Sequence, residues 1–86
     1  MIELIYTPNF IKEFKKLEYA LGEEVLDKIN LYKNRKNHQQ LKVHKLHRKL
    51  TGRYSFSVNY KTCIVFRYVS KKIAAILSVG DHDVYK

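Results

Sequence analysis

Eighty-six residues, 45% hydrophobic, 13% aromatic and 29% charged, suffice for one packed domain spanning 1–86 and are too few for two independent cores, which excludes a two-domain enzyme. Seventeen lysines and arginines against eight aspartates and glutamates give a net charge of +9, which points to a polyanionic partner such as nucleic acid or to an acidic protein. A single cysteine excludes a disulfide framework, and the apolar runs are too short for a bilayer, so a soluble, cytoplasmic protein without a membrane partner is expected.

Ile2–Tyr6 is β-branched and aromatic enough for a strand, and Thr7-Pro8 reads as a helix cap with proline at the first helical position. Phe10, Phe14, Leu17 and Leu21 then recur at helical spacing, until Gly22 interrupts the stripe. A second helix is expected through Val25, Ile29 and Tyr32, with Glu23 and Glu24 in its first turn and Lys33, Arg35 and Lys36 in its last, so that two antiparallel helices pack together. Asn37 to Thr51 reads mostly as an ordered basic loop.

After Gly52 the period changes to two. Tyr54, Phe56, Val58 and Tyr60 fall on one face of a strand, while Arg53, Ser55, Ser57 and Asn59 form a polar face available for binding. Cys63–Val69 and Ile73–Val79 complete a three-stranded antiparallel meander, and Gly80 ends the last strand before Asp81, His82, Asp83, Val84 and Tyr85. The expected class is α+β, in the order β-α-α-β-β-β.

Charge is segregated along this order. Residues 1–30 carry four basic and six acidic side chains, net −2, whereas residues 31–86 carry thirteen basic and two acidic, net +11. A surface built only for solubility mixes signs, so a basic binding face is expected. His38, His44, His47 and His82 are the side chains able to move protons in both directions near neutrality. RNA cleavage needs a base for the ribose 2′-hydroxyl, an acid for the leaving 5′-oxygen and cations for the phosphorane, all of which histidine, lysine and arginine supply without metal. His44 and His47 could approach one metal, but the sequence offers too few further ligands for a structural zinc site, so no metal or small-molecule cofactor is expected.

The runs Leu41-Lys42-Val43-His44-Lys45-Leu46, Leu50-Thr51-Gly52, Tyr54-Ser55-Phe56-Ser57-Val58-Asn59-Tyr60, Ile64-Val65-Phe66 and Val79-Gly80-Asp81-His82-Asp83-Val84-Tyr85 together resemble the RelE/ParE toxin superfamily, especially its RelE and YafQ-like branch. The resemblance covers essentially the whole chain. It implies a type II toxin, held inactive by a cognate antitoxin, that enters the ribosomal A site and cleaves mRNA.

On this resemblance His82 matches the C-terminal catalytic histidine, and His44 matches a second histidine for proton transfer or phosphate contact. Lys45, Lys49 and Arg53 match the basic segment that contacts the RNA backbone, and Tyr85 matches the aromatic that stacks on a base. The chain departs from the pattern where Cys63 replaces a transition-state arginine, with Arg67 a candidate substitute, where Ser55 and Ser57 replace lysines of some relatives, and where the tail between His82 and Tyr85 is one residue shorter. The alternatives are a ParE-like inhibitor of DNA gyrase, which needs no catalytic histidine, and an inactive relative that binds only its antitoxin or RNA.

Overall fold

A computed structural model describes residues 1–47 and 52–81. The first strand, β1 (Glu3–Tyr6), leads into α1 (Pro8–Lys15), whose N-terminus is capped by Thr7: its hydroxyl accepts from Phe10 N at 3.2 Å, with Pro8 in the first turn as expected. Next comes α2 (Tyr19–Tyr32), three residues further on. A 3-10 turn at Arg35–Asn37 precedes β2 (His44–Lys45), β3 (Tyr54–Ser57), β4 (Thr62–Tyr68) and β5 (Ile73–Asp81). The sheet order is β1-β5-β4-β3-β2.

The helical stripe is divided differently from the sequence expectation. The break falls at Lys16–Glu18, and Gly22 lies buried within α2, where a Cβ would stand 3.6 Å from Phe14 Cζ, an ordinary contact distance. Glycine costs a helix interior only about 1 kcal/mol relative to alanine. Burial of Val25, Ile29 and Tyr32 on the same helix outweighs that cost. Glu23 and Glu24 therefore lie beyond the first turn, and Lys33, Arg35 and Lys36 follow the helix instead of forming its last turn.

The meander is antiparallel as expected, and the N-terminal strand joins it in parallel, so the sheet as a whole is mixed. β1 runs parallel to β5, pairing Glu3 with Ile73 and Tyr6 with Ile76, while the other pairs are antiparallel. A parallel neighbour needs a crossover connection, and everything between β1 and β5 supplies it. The expected basic loop also contributes β2, which adds a fifth strand at the edge.

Tyr32 centres the core. Its ring stacks on Phe56 at 4.9 Å and on His38 at 4.7 Å, and Phe66 tilts against it at 4.6 Å. His38 Nε2–H donates to the Tyr32 carbonyl at 2.7 Å, so this histidine closes the end of α2 and is structural. Two strand expectations fail. Tyr60 leaves the buried stripe and is 93% exposed, because β3 ends at Ser57 and Asn59 turns the chain by accepting from Lys61 N and Thr62 N. Ser55, expected on an accessible polar face, is fully buried. It sits in an inner strand, paired with His44 on one side and Val65 on the other.

Candidate nucleic-acid interface

Side-chain alternation and strand register sort the face away from α2 into rows. His44, Ser55, Val65 and Ser78 form one row through successive pairings across β2, β3, β4 and β5. Ser57, Cys63 and Gly80 form the row nearest the end of β5. In the other direction, the 2.8 Å bond from Leu46 N to Arg53 O continues the β2–β3 pairing. The same register sets Arg53 opposite Arg67, which in turn faces Ala75. Adjacent rows are about 7 Å apart and adjacent strands about 5 Å. His44, Arg53 and Arg67 thus share one face.

A bulge on β5 sets which of its residues join this face. Val65 pairs with Ser78 but Phe66 with Ile76, so Leu77 is the extra residue on β5. The bulge reverses the alternation beyond it, turning Val79 into the core and Gly80 outward opposite Cys63.

Arg53 and Arg67 are both exposed, and neither forms an ion pair among the described residues. Like charges opposite one another across two strands repel, and an anion bound between them relieves that repulsion. His44, also exposed, donates its Nδ1–H to the Lys42 carbonyl at 2.8 Å, which leaves the Nε2 lone pair available to accept a proton. Lys42 holds that carbonyl in place from the left-handed region, φ 60°, a conformation costing a non-glycine residue about 1–2 kcal/mol. Bonds of 3.0 Å from Leu41 N to Asn37 O and from Val43 N to His38 O, with Leu41 buried between them, secure the turn. Gly52 supplies a second left-handed residue, φ 85°, just before β3.

Lys45 pairs with Tyr54, so it points to the opposite face from His44. It nevertheless lines, with Leu46, His47, Gly52, Arg53 and Tyr54, a cleft of about 440 Å³ that wraps the β2 edge and joins Lys45 to Arg53. His47 enters through this cleft; the sequence suggested it as a proton carrier and as a metal partner of His44. Among the described residues no group of three or more histidine, cysteine or acidic side chains is arranged to hold a metal.

Cys63 is buried, with its Sγ 3.8 Å from the Asp81 carbonyl. Arg67 stands four residues from Cys63 along β4, about 13 Å, and belongs to the Arg53 row. Lys49, His82 and Tyr85 lie outside the described residues. β5 runs as far as Asp81, paired with Thr62, immediately before His82 in the chain.

No family model matches the chain, and no curated protein sequence matches it. Solved structures do. The YoeB–YefM complex from Staphylococcus aureus aligns with a TM-score of 0.73 at 19% identity, over 95% of this chain and 98% of the other. A YafQ mutant from E. coli aligns with a TM-score of 0.73 at 13% identity, over 98% and 97%. The toxin-antitoxin complex RelBE2 from Mycobacterium tuberculosis gives 0.71 at 17% identity, over 94% and 98%. The chain has the α+β fold of the RelE/ParE toxins along essentially its whole length. Among the described residues no helix is long and apolar enough to cross a membrane.

Proposed function

We propose that this protein is the toxin of a type II toxin-antitoxin pair and a metal-independent endoribonuclease that cuts mRNA in the ribosomal A site. The observation that carries the reading is the Arg53–Arg67 pair on the face that also bears His44. In this reading the two guanidinium groups, with Lys45 and Lys49, hold phosphates of the RNA backbone. One of His44 and His82 removes the 2′-hydroxyl proton, the 2′-oxygen attacks the adjacent phosphorus, and the bond to the 5′-oxygen breaks as the other histidine protonates it. The products are a 2′,3′-cyclic phosphate and a 5′-hydroxyl. His44 suits the base role, since its Nδ1–H is occupied by Lys42 and its Nε2 is not. Tyr85 stacks on a base near the cut.

The fold neighbours include toxins solved together with antitoxins, which supports a cognate antitoxin as the inhibitory partner here. A ParE-like gyrase inhibitor is the second reading, favoured by Cys63 where ribonuclease relatives carry an arginine.

Primer extension on mRNA from cells expressing wild type or His82→Ala tests the proposal. Cuts within translated codons are expected, and His82→Ala is expected to lower cleavage by roughly a hundredfold or more. Growth arrest without cuts supports gyrase inhibition, and neither effect supports an inactive, antitoxin-binding relative.

A further inference from the structure

Tyr60 stands on the turn between β3 and β4, 93% exposed, and makes no hydrogen bond or ring contact among the described residues. Single exposed aromatics are common on protein surfaces, but this one is held on an immobilised turn. Asn59 Oδ1 accepts from Lys61 N and Thr62 N, both at 2.8 Å, and Val58 N and Asn59 N donate to Thr62 O at 2.9 and 3.2 Å. Asn59 Nδ2 also donates to Glu24 Oε1 on α2 at 2.9 Å, which ties the turn to the helix. The backbone that carries the ring is thus ordered before anything binds, and only the side chain remains to be fixed.

Its place along the sheet is equally specific. Thr62 pairs with Asp81, so the turn lies at the end of the sheet where β5 leads towards His82. Tyr60 and Lys61 line a hollow of about 250 Å³ together with Glu18, Leu21 and Glu24. The two carboxylates repel phosphate from the hollow, whereas a neutral base meets no such barrier, and Lys61 is the adjacent exposed cation.

We propose that Tyr60 is a stacking platform for an unpaired RNA base flanking the scissile phosphate, with Lys61 at the neighbouring phosphate. The inference rests on the ribonuclease reading and adds an outer subsite to it. The test uses a 2′-O-methyl, non-cleavable mRNA carrying 2-aminopurine, presented free and on programmed ribosomes, with full-length protein. Wild type is expected to quench the 2-aminopurine emission at one position. Tyr60→Ala is expected to abolish that quench and weaken binding roughly 5- to 150-fold, while Tyr60→Phe and Tyr60→Trp retain both. Lys61→Ala should weaken binding without removing the quench. If Tyr60→Ala binds and quenches like wild type in both formats, or if wild type quenches in neither, the subsite does not exist. A Tyr60-dependent quench in a protein that cuts no unmodified mRNA would uphold the subsite and overturn the catalytic reading, whereas cleavage indifferent to Tyr60 would do the reverse.

Discussion

The carboxylate of Glu13 on α1 accepts a hydrogen bond from the backbone N–H of Val79 on β5, Oε1 to N 3.2 Å. β1 pairs with β5 only as far as Ile76, and residues 77–79 beyond it have no strand on that side among the described residues. Helix α1 and its cap replace it: the Thr7 hydroxyl donates to Ile76 O at 2.8 Å, Asn9 Nδ2 to Leu77 O at 2.9 Å, and Glu13 meets Val79. The bulged end of β5, which leads to the candidate catalytic histidine, is thereby held by side chains.

Glu13→Ala should cost about 1–2 kcal/mol in urea unfolding, because the Val79 N–H loses a charged acceptor, and Glu13→Gln should recover most of it. Cleavage per folded molecule should fall with Glu13→Ala as well. Unchanged stability in the alanine variant would mean that Val79 finds another acceptor.

Tyr32 carries a fully buried hydroxyl with no hydrogen-bond partner among the described residues; Tyr68 is close enough to influence it without bonding geometry. Burial first, and the Tyr68 phenol second, push the Tyr32 pKa well above its ordinary 10.0. The raised value means that this phenol stays neutral in the folded state while it ionises in the unfolded chain above pH 10. Its contribution is therefore complete below that pH and is lost as pH rises, at up to about 1.4 kcal/mol per pH unit. Tyr32→Phe should be about 1 kcal/mol more stable at neutral pH and should show a shallower loss above pH 10. Parallel stability-pH curves for the two proteins would contradict this account.

Arg53→Ala and Arg67→Ala should each reduce the slope of log affinity against log salt by roughly one unit for RNA or ribosome binding. Removing one member also relieves the repulsion between them, so each single variant should fold at least as stably as wild type. Salt slopes that do not change would leave the pair as solvated surface charges.

Charge segregation and strand alternation made a basic α+β protein legible in the sequence, because both are properties of neighbouring residues along one chain. Thr7-Pro8 could be read as a cap for the same reason: the Thr7 hydroxyl reaches Phe10 N three residues away. Gly22 misled because local propensity is about 1 kcal/mol, less than the burial α2 gains by continuing through it.

What only the tertiary structure decided is non-local. The parallel seat of β1 beside β5, the burial of Ser55 between two strands and the opposition of Arg53 and Arg67 all depend on the register between distant segments. No spacing within a single strand encodes that register. It follows from which side chains the Tyr32 core accepts, and the extra residue at Leu77 then decides which side chains beyond it face the candidate site.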